Sequence, residues 1–119
     1  MAQRKSGYAR QENDFYSTPA WVVEALAEHV RLAGLSVWEP AAGDGAMAHA
    51  LVACGASVRE TDLVPQAEPR QSDRRTPVDF LAAQRPLGSC EAIITNPPFG
   101  PSGSLAVDFA THALTLMRL

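Results

Sequence analysis

The chain has 119 residues, of which 46% are hydrophobic and 19% are charged, so it corresponds to one modest domain and excludes a multidomain enzyme. This apolar fraction excludes global disorder, and no apolar stretch approaches the roughly 18 residues that a membrane span needs. The formal net charge of −3 excludes a protein that binds nucleic acid through bulk positive charge alone. No apolar segment follows Arg4 and Lys5, so we predict no secretory signal, no membrane association and a cytoplasmic location.

The first half of the chain predicts alternating helices and strands. Residues 1–15 are polar and aperiodic, which predicts a flexible N-terminal arm ahead of a domain over residues 16–119. Thr18 as a cap and Pro19 at the first helical position indicate a helix start, and apolar residues at helical spacing predict about four turns, ending at Gly34. The following elements are a strand over 35–39, a tight loop over 40–45, a helix over 46–54 and a strand over 56–61.

The second half continues this alternation after an interruption. Residues 65–77 contain prolines and several charges and predict a long loop, followed by a short element over 78–84. A third strand is predicted over 91–95, and a final helix with Ser102 or Ser104 as its cap. Strands that alternate with helices predict an α/β fold with a mostly parallel sheet.

A glycine-rich loop between the first strand and the second helix suggests a nucleotide-type cofactor. The run from Gly43 to Ala48 matches G-x-G-x-x-G/A, in which glycines let the backbone approach a ligand. Asp62, at the tip of the next strand, is placed to accept hydrogen bonds from two ribose hydroxyls. Asp44 and Glu39 would repel a pyrophosphate, so the loop favours a cofactor with positive charge, such as S-adenosylmethionine. The structural alternative is a tight turn with a surface aspartate.

The tetrapeptide Asn96-Pro97-Pro98-Phe99 directly follows the third predicted strand. Two prolines fix φ and remove two N–H donors, so the segment presents carbonyl acceptors in a rigid frame. The carbonyls of Asn96 and Pro97 could accept both hydrogens of an exocyclic amine while Phe99 stacks on its base. These hydrogen bonds would make the amine nitrogen more nucleophilic through positioning alone, without a metal or a strong base. The alternative is a strand exit with Phe99 in the core.

Together these segments resemble the class I S-adenosylmethionine-dependent methyltransferases, chiefly the enzymes that methylate the N6 amine of adenine in DNA. The resemblance implies a three-layer Rossmann-like fold, S-adenosylmethionine as cofactor and Asn96 to Phe99 as the catalytic tetrapeptide. It also assigns the cofactor contacts by segment. The methionine end of the cofactor would contact the motif before the first helix, which comprises Tyr16, Ser17, Thr18 and Pro19. The glycine loop would cradle the cofactor through Glu39, Pro40, Ala41, Gly43 and Gly45, with Glu39 near the methionine amino group. Asp62 would bind the ribose, and Asp79 and Phe80 would hold the adenine of the cofactor.

The family's sheet has seven strands, so the resemblance implies three more strands and a target-recognition region beyond the catalytic tetrapeptide. We therefore expect a partial domain, incomplete at its C-terminal side, that is inactive on DNA and prone to self-association unless a partner chain supplies the missing half. Two alternatives stay open. One is methylation of an amide or amine in RNA or protein, and the other is a non-catalytic fragment that binds the cofactor or a partner chain.

Overall fold

The computed structural model describes residues 17–64 and 77–118, and these form an α/β fold. The predicted arm over 1–15 lies outside the described residues, as does the predicted loop over 65–77 apart from Pro77. Two 3-10 turns, at Phe80–Ala82 and Pro101–Gly103, accompany the regular elements. The helices and strands, in chain order, are α1 (Ala20–Ala27), β1 (Ser36–Glu39), α2 (Ala46–Ala53), β2 (Ser57–Glu60), β3 (Ala92–Ile93) and α3 (Ser104–Leu116).

The three strands form a parallel sheet in the order β2-β1-β3, which confirms the predicted α/β class. In β1, Val37 pairs with Val58 of β2 on one side and with Ala92 of β3 on the other. The chain therefore leaves β1 to one side and returns to its other side, which makes the carboxyl end of β1 a topological switch point. Open α/β sheets bind ligands in the crevice at such a point.

Successive residues of β1 point into two different cores, because side chains alternate across a strand. Val37 lies in a cluster with Val23 of α1 and Leu51 of α2. Trp38 lies on the opposite face, in a cluster with Phe80 and with Phe109 of α3. Helices thus cover both faces of the sheet, and each of these cores depends on one residue of the central strand.

Aromatic rings dominate the second core. Phe80 is fully buried, meets Trp38 edge-on with ring centroids 5.2 Å apart and meets Phe109 at 5.0 Å. His112 packs edge-on against the same ring, and its Nε2 lies 2.8 Å from the carbonyl oxygen of Ala83. Phe80 therefore joins α3 to the sheet.

The first helix is shorter than predicted and begins differently. It ends at Ala27, after two turns, because the apolar residues beyond it do not stay on one buried face: Val30 is 41% exposed, whereas Leu32 reaches the core from outside the helix. The N-cap is Pro19, with no side-chain cap, so the predicted capping role of Thr18 is wrong.

Other predicted boundaries also change. Each strand is shorter than predicted, although the bonds from Glu91 N–H to Ser36 O (2.7 Å) and from Ile94 N–H to Trp38 O (3.2 Å) extend the pairing of β3. The short element predicted over 78–84 is the 3-10 turn at Phe80–Ala82. The α3 helix starts after Gly103 without a side-chain cap, so neither predicted serine caps it.

Within the two described ranges, no helix is long and apolar enough to cross a membrane.

Replacing Phe80 with alanine should remove the contact that joins α3 to the sheet. We expect Phe80→Ala to lower the free energy of unfolding by about 3 to 5 kcal/mol, because a fully buried ring is lost and a cavity remains. Val107→Ala on the exposed side of α3, where the valine is 63% exposed, should change it by less than about 0.5 kcal/mol. Urea denaturation measures both, and equal stability of the two variants would contradict this packing role.

Candidate functional site

The candidate site lies at the carboxyl ends of β1 and β3, beside the switch point of the sheet. The central strand ends at Glu39 and continues into the loop 40–45, which leads to α2. The third strand leads into the tetrapeptide 96–99. Because parallel strands end at the same edge of a sheet, the two segments that the sequence singled out lie at neighbouring positions of one crevice.

The glycine loop has the conformation that its glycines permit. Gly43 has φ of 56° and Gly45 has φ of 86°, both in the left-handed region that side chains disfavour, and Gly45 is the N-cap of α2. The Ala42 N–H donates to the carbonyl of Thr61 at 2.9 Å, which ties the loop to the end of β2. Asp44 is exposed and accepts from the Ala46 N–H at 2.9 Å, so its carboxylate supports the first turn of α2.

Asp62 lies beneath this loop with none of its surface exposed. Its Oδ2 accepts from the Gly43 N–H at 2.7 Å, and its Oδ1 accepts from the Val64 N–H at 3.2 Å. The carboxylate therefore fixes the loop. Its predicted contact with a ribose stays a prediction.

Glu39 is the second buried carboxylate, with 1% of its surface exposed. Its Oε1 accepts from the Ala41 N–H at 2.8 Å, and the Asn96 N–H also donates to the side chain. Desolvation raises the pKa of Glu39 from 4.5 to about 7, with a smaller contribution from the negative charge of Asp62, and the hydrogen-bond donors only partly offset this. The Thr95 hydroxyl lies beside the carboxylate and also lowers its pKa, although the geometry of this contact is not that of a full hydrogen bond.

Asn96 joins the tetrapeptide to the motif before α1. Its side-chain nitrogen donates to the hydroxyl of Thr18 at 3.2 Å, and Thr18 is buried. This bond uses the NH₂ end of the amide, so the amide oxygen is left as the end that can accept from a ligand. Thr18 and Asn96 are 78 positions apart in the sequence, and all three strands of the described sheet lie between them, but their side chains are in contact in the structure.

Phe99 is 45% exposed, so the alternative that buried it in the core is wrong. Its carbonyl accepts from the N–H groups of Leu105 and Ala106 at 2.9 and 3.2 Å, which anchors the backbone below the ring to the start of α3. Pro98 is buried and Pro97 is half-buried. The tetrapeptide therefore forms a fixed exit from β3 with one accessible aromatic face.

The remaining predicted cofactor residues are placed as follows. Tyr16 lies outside the described residues, whereas Ser17 and Pro19 are exposed beside Thr18. Asp79 accepts from the Leu81 N–H at 3.1 Å and thereby caps the 3-10 turn. The Phe80 ring is enclosed by the second core, and its predicted contact with an adenine stays a prediction.

Two threonines of the site went unpredicted. Thr61 accepts from the indole N–H of Trp38 at 2.8 Å, and Thr95 stands beside Glu39. The sequence does contain a pattern that could have identified them, because each threonine follows a strand and directly precedes a polar motif residue, as Thr61-Asp62 and Thr95-Asn96 show.

The donor set fits a ligand with a positive charge better than a phosphate. The N–H groups of Ala41 and Gly43, which a pyrophosphate would need, already donate to Glu39 and Asp62. Among residues 17–64 and 77–118, no cation acts on Glu39, and no group of three side chains could hold a metal ion. An ammonium group would satisfy this carboxylate, so the residues present suit a ligand that carries one.

Comparisons with protein-family models, with curated proteins and with solved structures gave no match for this chain.

The raised pKa of Glu39 predicts that the chain loses stability as the pH rises. Between about pH 4.5 and 7, the folded state keeps a proton that the unfolded state releases. The contribution of Glu39 to the free energy of unfolding is therefore complete below about pH 4.5 and is lost as the pH rises through about 7. The loss is on the order of 3 kcal/mol. Urea denaturation across this window should show a much flatter profile for Glu39→Gln than for the parent chain. The exposed-site control Glu24→Gln should follow the parent, and parallel profiles for all three proteins would contradict the prediction.

The hydrogen bond between Thr18 and Asn96 should be measurable as an energetic coupling. In a double-mutant cycle of Thr18→Val and Asn96→Ala, we expect about 0.5 to 1.5 kcal/mol of coupling in the free energy of unfolding. Thr18→Ser keeps the hydroxyl and should retain most of this coupling. Strict additivity of the two substitutions would mean that the bond contributes nothing.

Proposed function

We propose that this site binds S-adenosylmethionine and transfers its methyl group to the exocyclic N6 amine of adenine in DNA. The observation that carries the proposal is the juxtaposition, at one switch point, of the buried carboxylate of Glu39 and of Asn96, whose backbone N–H donates to that carboxylate. The carboxylate of Glu39 suits the ammonium group of the cofactor, and Asn96 suits the amine that receives the methyl group.

The cofactor end of the proposal is supported by charge and by loop geometry. Glu39 would pair with the ammonium group of the methionine part of the cofactor. The attraction between the two charges would offset the free-energy cost of burying the carboxylate. Gly43 and Gly45 allow the backbone to pass close to the cofactor, and Asp62 keeps that loop in place. When bound, S-adenosylmethionine supplies an electrophilic methyl group on a sulfonium.

The substrate end is supported by the acceptors and the aromatic face beyond β3. Thr18 holds the NH₂ end of Asn96, which leaves the amide oxygen to accept an N–H of the target amine. The Pro97 carbonyl would accept the second N–H, and Phe99 would stack on the base. Two such hydrogen bonds localise the nitrogen lone pair, so the chain contributes positioning and oriented dipoles.

The choice of adenine in DNA rests on the resemblance of the motif segments to those of N6-adenine DNA methyltransferases. A planar amino group in RNA or protein would use the same acceptors, so it is the alternative substrate class. The three-layer methyltransferase sheet also belongs to this proposal, because the described sheet has three strands where the family has seven. Under this proposal a partner chain, or further sequence, supplies the remaining strands.

Calorimetric titration of the purified chain with S-adenosylhomocysteine tests the cofactor site. We expect binding by the parent chain and a loss of about five- to a hundredfold in affinity for Asp62→Ala, because the acceptor that fixes the loop, and that is proposed to bind the ribose, is lost. Asn96→Ala should bind within about twofold of the parent, since Asn96 is assigned to the target amine.

Glu24→Ala removes an exposed carboxylate of α1 and serves as the matched control for charge. Circular dichroism of each variant separates a lost pocket from a lost fold. A folded parent chain that does not bind S-adenosylhomocysteine would overturn the proposed function. Equal losses for Asp62→Ala and Asn96→Ala would instead assign the tetrapeptide a structural role.

A further inference from the structure

The buried carboxylates of the site raise the question of where a proton resides before a ligand binds. Glu39 and Asp62 lie at the ends of neighbouring strands, with 1% and 0% of their surfaces exposed. Glu60 is also buried and is the register partner of Glu39 on β2. Burial without a compensating cation favours the neutral form of a carboxylic acid.

The surroundings of Glu39 identify it as that acid. Its neighbours among the described residues are the N–H groups of Ala41 and Asn96, the Thr95 hydroxyl and the charge of Asp62, and no cation in the described part of the chain compensates it. Hydrogen bonds from two N–H groups do not offset its complete desolvation. In the ligand-free chain, Glu39 therefore carries its proton over a large part of the neutral pH range.

We propose that a ligand with an ammonium group expels one proton from Glu39 when it binds, so that the affinity of the site rises with pH up to neutrality. This inference rests on the proposed function, because it takes the cofactor's methionine end as the source of the ammonium group. The balance is simple. The carboxyl O–H of Glu39 breaks, its proton passes to solvent, and the resulting carboxylate pairs with the ammonium group.

The sign and size of the effect follow from linkage. The pKa of Glu39 is about 7 in the ligand-free chain and falls when a cation is placed beside the carboxylate. Between about pH 6 and 8, the number of protons released on binding falls from most of one proton to a small fraction of one. Over the same range the affinity for the ligand rises about tenfold and then levels off.

The test is calorimetric titration of the full chain with S-adenosylhomocysteine at about pH 6.5. The titration is performed in phosphate and in imidazole, because the two buffers differ in ionisation enthalpy and the difference in observed heat gives the number of protons released. We expect the parent chain to release a measurable fraction of one proton per ligand, and this fraction should fall as the pH rises through about 7. Glu39→Gln should release none and should bind with an affinity that does not change between about pH 6 and 8, whereas Glu24→Gln should behave as the parent.

A ligand control isolates the ammonium group. Methylthioadenosine has the adenosine and the sulfur but no amino acid part, so it should bind without releasing a proton. Equal proton release with both ligands would overturn the assignment to the ammonium group. If Glu39→Gln does not fold, the two-buffer titration of the parent chain still decides the question.

The outcomes separate this inference from the function on which it rests. Binding of S-adenosylhomocysteine with no proton exchange and a flat pH profile would overturn the inference and leave the cofactor site intact. A folded chain that binds S-adenosylhomocysteine at no pH in this range would overturn both.

Discussion

The pairing of β1 with a strand on each side is the constraint on which the rest of the structure depends. Val37 and Trp38 are neighbours in sequence, yet one belongs to the core under α1 and α2 and the other to the core under α3. The next residue, Glu39, begins the candidate site. A four-residue strand therefore positions both cores and the crevice, and any shift in its register would disturb all three together.

Burial of two carboxylates beneath a glycine loop links the stability of the fold to the chemistry of the site. Asp62 and Glu39 each accept a loop N–H, so the loop is held by groups that are costly to bury. Burial of Glu39 favours its protonated form, and no cation among the described residues offsets this. A positive charge placed beside this carboxyl group would favour its ionised form instead, so the charge state of the site depends on what lies next to Glu39.

The sequence predicted the parallel α/β class and the tight turn of the glycine loop because local spacing determines both. It placed the end of α1 and the cap of α3 wrongly, since Leu32 reaches the core from outside a helix and Gly103 begins α3 without a side-chain cap. Local patterns also could not show that the side chain of Thr18 contacts Asn96, because that pairing depends on the path of the whole sheet. The sequence therefore identified candidate residues one by one, whereas their mutual geometry could be seen only in the structure.

The contact between Thr18 and Asn96 spans 78 positions of the chain. No local segment of the chain contains both partners, so the contact depends on the parallel sheet whose strands lie between them in sequence. A fragment that carried only one of the two motifs would hold one partner of this bond and lack the other. The bond is therefore a property of the tertiary fold and not of either motif alone.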